Sequence, residues 1–143
     1  MLKFPTQLSP TNRQLLTQLI TSHANFHYQM GPKFAFCPPR TIIFGPYEPH
    51  YLLLCCHELG HALSGHTHFQ TDLERLKLER SAWEVARHLC HQYHIPFDPD
   101  FVEDQLDSYR DWLHHQSRCP RCGLSRYQTK NGQYHCPNCE LTI

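Results

Sequence analysis

No stretch of this 143-residue chain approaches the roughly 18 consecutive apolar residues of a membrane span, so no membrane contact is expected. The opening MLKFPTQLSPTNRQ lacks the apolar core of a secretory signal, which makes the cytoplasm the expected location. An excess of one charge is also missing. The 13 Lys and Arg balance 13 Asp and Glu, which removes any whole-chain electrostatic attraction to nucleic acid or to a membrane surface. There is no internal repeat and no low-complexity tract.

What remains is rich in metal-ligand chemistry, with 13 His and 8 Cys. A hydrophobic content of 40% over this length supports one main core and a small appendage. The division is expected at residues 1–116 and 117–143, where composition shifts to Cys, Pro, Gly and polar residues. Four cysteines form two CxxC pairs, and without a secretory signal these predict a metal site rather than disulfides. Cys37, Cys55, Cys56 and Cys90 are expected as small buried residues.

The apolar pattern predicts a first helix from Thr11 to Met30, with Leu15, Leu16, Leu19, Ile20, Phe26 and Met30 on one stripe and Ser9-Pro10 at its start. Residues 31–49 hold five prolines and two glycines, leaving room only for short extended pieces at Lys33–Cys37 and Arg40–Phe44. Further helices are predicted from Tyr51 to Ser64, stopped by Gly65, from Asp72 to Tyr93, and from Pro99 to His115. The fold class is therefore α+β: a mainly helical domain with a short sheet, followed by a small cysteine-rich unit.

The second of these helices carries CCHELGHALSGH, residues 55–66. His57-Glu58-Leu59-Gly60-His61 matches HExxH, in which histidines four apart share a helix face and can reach one ion. Glu58 is turned by about 100°, so it can approach the metal's water without being a ligand, the general-base position of a zinc peptidase. A third ligand is needed. His66 and His68 are near, but the HExxHxxGxxH register fails, with Ser64 at the glycine position and Thr67 at the last histidine. The next helix offers Glu74, Glu79 and Glu84. Its apolar stripe runs through Leu76, Ala82, Trp83, Ala86, Leu89, Cys90 and Tyr93, and Glu79 is the charged residue that falls on it. A carboxylate facing a core needs a partner, which selects Glu79. Glu84 shares its face with Lys77, Arg80, Arg87 and His91 and is expected at the surface, as are His88, His91 and His94.

HELGHALSGH followed by ERSAWEVARHL resembles the ImmA/IrrE-type metallopeptidases, gluzincin-like proteins, over about residues 15–95. The resemblance implies a zincin-like fold, His57, His61 and Glu79 as zinc ligands, Glu58 as catalytic base, and a regulatory endopeptidase acting on a repressor- or antitoxin-like protein. This chain departs from that pattern with Trp83 where Asn or Asp is common and Val85 where Phe is common. The resemblance also implies that TIIFGPYEP lies near an edge strand that aligns a peptide substrate. Tyr47, His50 and Tyr51 stand open as transition-state stabilisers, and Asp107, Tyr109, Arg110 and Asp111 as supports for the zinc histidines.

At the C-terminus, Cys119-Pro-Arg-Cys122 and Cys136-Pro-Asn-Cys139 are separated by thirteen residues. Four thiolates on two turns form a zinc-ribbon pattern and complete a closed, structural shell. Such a short segment cannot bury enough surface to fold alone, and zinc can contribute about 10–16 kcal/mol. The expected content is two zinc ions per chain, one catalytic and one structural. Arg118, Arg121, Arg126 and Lys130 against Glu140 leave a local net charge of 4 − 1 = +3, which permits nucleic-acid contact as well as docking to protein. Two alternatives follow. One is a SprT-like protease acting on DNA-bound protein, which also carries a ribbon but takes a third histidine. The other is a non-proteolytic zinc-containing regulator or nucleic-acid-binding protein, for which Glu58 would be superfluous.

Overall fold

A computed structural model describes residues 2–143 and shows an α+β protein with four helices and two small sheets. The backbone packs as two compact units, residues 1–67 with 81–97 and residues 68–80 with 98–143. No helix among the described residues is long and apolar enough to cross a membrane.

The first unit begins with helix α1, Pro10–Ser22. The Ser9 side chain accepts from the Asn12 amide at 3.1 Å and Pro10 opens the first turn, the arrangement that satisfies a helix start. The helix is shorter than its sequence predicts. His23 leaves helical geometry, and His27–Met30 forms strand β1 instead. Phe26 and Met30, spaced four apart, mimic a helical stripe. A parallel ladder to strand β3 (Thr41–Phe44), running from His27 opposite Thr41 to Met30 opposite Phe44, overrides that local pattern. Strand β2, Ala35–Cys37, pairs antiparallel with β3 on its other side. Along β3, Ile42 and Phe44 are buried and their neighbours half-buried, the alternation of a sheet with one face on a core.

In the sheet order β1-β3-β2 the TIIF segment is the central strand, paired on each side with an edge strand, so it lies beside an edge strand as expected without forming one. Cys37 corrects an expectation: it is not buried but ends β2 on an exposed position, whereas Cys55, Cys56 and Cys90 are buried.

Helix α2, Tyr51–Leu63, buries ten of its thirteen residues. A helix apolar on nearly all faces belongs inside a core. Tyr51, Phe44, Leu16, Leu19, Ile42 and Leu59 are the largest fully buried side chains around it. Helix α3, Asp72–Tyr93, continues the unit through its buried Ala82, Trp83, Ala86, Leu89 and Cys90. At Gly60 a β-carbon would collide with the Ala82 carbonyl oxygen. Only glycine lets α2 and α3 approach this closely. The α2 helix then ends in a Schellman motif: Gly65, at φ 68°, donates to the Ala62 carbonyl, and the His66 amide to that of His61, each at 3.2 Å.

In the second unit the start of α3 carries a capping box. The Glu74 amide donates to Thr71 Oγ1 and the Thr71 amide to Glu74 Oε2, both at 3.2 Å. Helix α4, Pro99–Gln116, is capped by Asp98, which accepts from the amides of Asp100 and Phe101. Its Val102 and Leu106 are buried. The Arg75 guanidinium lies 5.1–5.9 Å from the ring centres of Phe69, Tyr109 and Trp112, within cation–π range. After α4 the chain forms a two-stranded antiparallel hairpin, β4 (Tyr127–Gln128) and β5 (Tyr134–His135). Buried Tyr134 anchors it, donating to Asp72 Oδ2 at 2.6 Å, while the Asp72 amide donates to Gln128 at 2.6 Å.

Candidate metal centres

The α2 register places His57 and His61 one turn apart, with their Nε2 atoms 3.2 Å from each other. Two nitrogens on a tetrahedral ion, at bond lengths of about 2.0–2.1 Å, stand about 3.3–3.4 Å apart, so the pair is already spaced for a shared metal. Glu79 of α3 joins them: one ligand atom from each of the three lies within 4.8 Å of the others. His57 is buried and the other two are half-buried. The donor set of two imidazoles and one carboxylate suits a divalent cation of borderline softness. Glu58 is 8% exposed, a buried carboxylate on the same turn.

The three glutamates of α3 have separate fates. Glu74 sits in the capping box, where the Gln70 and Thr71 amides hold its carboxyl below the usual range. Glu84 pairs with Arg87 at 2.9 Å at the surface. Glu79 alone of the three joins the histidines. Glu79→Ala should therefore weaken metal binding at this centre by at least ~10²-fold, more than the 10–100-fold typical of an outer partner. Glu84→Ala should stay within about 0.5 kcal/mol of wild-type stability. Metal titration and thermal melts of the two variants measure both, and the opposite ranking would refute the assignment.

Two contacts orient the imidazoles. Trp83, 4% exposed, stacks on His57 with ring centres 3.9 Å apart and planes at 21°. His61 Nδ1 lies 2.9 Å from His66 Nδ1. In the sequence Trp83 stands on the apolar stripe and at a departure from the ImmA/IrrE-type pattern, and His66 stands as a ligand candidate, but neither position announces these ring contacts. The detectable signal for His66 was Gly65, since a left-handed residue just past a helix end folds its successor back onto the last turn.

Other residues fall elsewhere. The Tyr51 ring packs against Phe34, Phe44 and Tyr47. Its hydroxyl is buried without a hydrogen-bond partner among the described residues, and desolvation pushes its ionisation well above the tyrosine range. Tyr51 thus belongs to the core, and Tyr47 stacks on it from a position 41% exposed. Arg110 is engaged by Glu103 and Asp107 at 2.8 Å in an exposed ion-pair cluster, a surface role rather than support for the histidines. His88, His91 and His94 are exposed.

The second centre gathers Cys119, Cys122, Cys136 and Cys139, again with one ligand atom each within 4.8 Å. Cys122 Sγ and Cys136 Sγ are 3.6 Å apart, against about 3.8 Å for two sulfurs at ~2.3 Å from a tetrahedral ion. The two Cys-Pro-x-Cys turns are built alike. Gly123 donates to the Cys119 carbonyl and Glu140 to that of Cys136, each at 2.8 Å, and both donors have positive φ. Backbone amides aim at the sulfurs. Those of Cys122 and Leu124 lower the Cys119 and Cys122 thiols, the latter to about 6. Cys139, hydrogen-bonded to Cys122, is pushed up to about 12. Four cysteine sulfurs at this spacing make a donor set that would close a tetrahedral shell around one divalent cation. No family model, curated protein or solved structure matches this chain.

Proposed function

We propose that the chain is a zinc-dependent endopeptidase whose C-terminal unit is a structural zinc ribbon. The observation that carries this reading is the His57, His61 and Glu79 group with the buried Glu58 one residue from its first ligand. Three protein ligands leave a coordination position open, the mark of a catalytic rather than a structural site. The four-cysteine cluster, by contrast, fills a tetrahedral shell on its own.

In this mechanism His57, His61 and Glu79 would hold the ion. Zinc in such a site supplies Lewis acidity, which makes water acidic near neutral pH and polarises a carbonyl. Glu58 accepts the proton from the attacking water and delivers it to the leaving amine. Its burial suits that task, since exclusion of bulk water strengthens the interaction with the proton it holds. Trp83 limits the tilt of the His57 ring.

The substrate class, a repressor- or antitoxin-like regulatory protein, comes from the resemblance of HELGHALSGH and ERSAWEVARHL to ImmA/IrrE-type peptidases. A SprT-like assignment would call for a third histidine in place of Glu79, and the group contains none. The function is tested by incubating proteins of the source cell with the zinc-loaded chain, the chelator-stripped chain and the re-zincated chain, scoring new termini by mass spectrometry. Termini that vanish on stripping and return with zinc support proteolysis. Identical termini in all three samples, or none in any, would overturn it.

A further inference from the structure

We infer that His66 is a positioning residue for the metal: it accepts a hydrogen bond from His61 Nδ1 and so fixes which nitrogen of His61 faces the ion. This rests on the metal-site reading above.

The geometry begins with the backbone. In a Schellman motif the residue after the left-handed glycine lies over the third residue from the helix end, usually as an apolar contact. Here those two residues are His66 and His61, joined by the 3.2 Å backbone bond from the His66 amide to the His61 carbonyl. Their rings continue the contact, with centres 5.2 Å apart and the two Nδ1 atoms at 2.9 Å.

That distance constrains the protons. His61 Nε2 faces His57 Nε2 at 3.2 Å, so Nε2 must be the bare nitrogen when an ion is bound. The remaining proton then resides on Nδ1 and points at His66, whose own Nδ1 must accept. The tautomer of His61 is thereby fixed with Nε2 as its ligand atom. His66 therefore does not ligate. Its nitrogen meets the side of the His61 ring opposite the ion. An outer partner of this kind typically adds 10–100-fold to metal affinity.

Substitution separates this role from packing. His66 is half-exposed, so changes there should spare the fold. His66→Ala removes the acceptor, whereas His66→Asn keeps an acceptor oxygen close to the Nδ1 position. The probe is Co2+ alone, titrated into full-length chain with the cysteine cluster already filled with zinc, and followed by its visible absorption. A His61→Ala chain defines loss of a true ligand. The expected result is a 10–100-fold weakening in His66→Ala, with most of it restored in His66→Asn. In zinc-loaded, 15N-histidine-labelled protein, the His61 Nδ1 proton should be visible in wild type and exchange-broadened in His66→Ala.

Equal affinity in wild type and His66→Ala would overturn the inference, as would an Asn variant as weak as the Ala variant. Loss as complete as in His61→Ala would make His66 a ligand and overturn it too. A wild-type chain that takes up no Co2+ outside the cysteine cluster would instead overturn the metal-site reading, and the role of His66 with it.

Discussion

Replacing Glu58 with Gln is expected to leave metal bound and to reduce peptide cleavage by roughly 10² or more, the usual scale for losing a general base. The substitution keeps the size and most of the hydrogen-bonding shape of the side chain. It removes the carboxylate that accepts the proton. Because the three ligand atoms come from His57, His61 and Glu79, metal content should match wild type within error. Stability should stay close to wild type, since the amide fills the same buried space. Metal content by elemental analysis and Glu58-dependent termini by mass spectrometry give the two readouts. Full cleavage by the Gln variant would remove Glu58 from the chemistry, and joint loss of metal and cleavage would make it part of the shell.

The second large effect is structural. Cys119→Ser combined with Cys136→Ser should lower metal content from two ions per chain to one and unfold residues 117–143. The buried sulfurs are those of Cys119 and Cys136, and around them the ladder is only two residues per strand. So small a unit depends on the roughly 10–16 kcal/mol that a structural zinc can supply. Tryptic cleavage at Arg121, Arg126 and Lys130, slow in wild type, should become rapid, while helix α2 and its histidines keep their ion. A double variant that resists trypsin as wild type does would show that Tyr134 and its bonds to the α3 start hold the hairpin without metal.

The helices that build both centres are legible because their ends are written in side-chain chemistry. Gly65 stops α2, Asp72 begins α3, and Asp98-Pro99 caps α4, so the expected and observed spans agree to within one residue. The α3 stripe singles out Glu79 for the same reason: its apolar residues leave one carboxylate facing inward. Strand β1 is not legible, because nothing within His27–Met30 records its partner fourteen residues away. The central place of β3 is hidden likewise, since strand order is a property of pairing rather than of any one segment. Trp83 on His57 and His66 on His61 are tertiary in the same sense. Their residue types are visible in the chain, but their use is set by ring distances that periodicity does not carry.

The close approach of Gly60 to the Ala82 carbonyl also sets a tolerance. Gly60 lies between the two histidines on α2, and Ala82 stands three residues from Glu79 on α3. Any β-carbon at position 60 would wedge the two helices apart beside all three ligands, so this one glycine fixes how near the carboxylate can stand to the imidazoles.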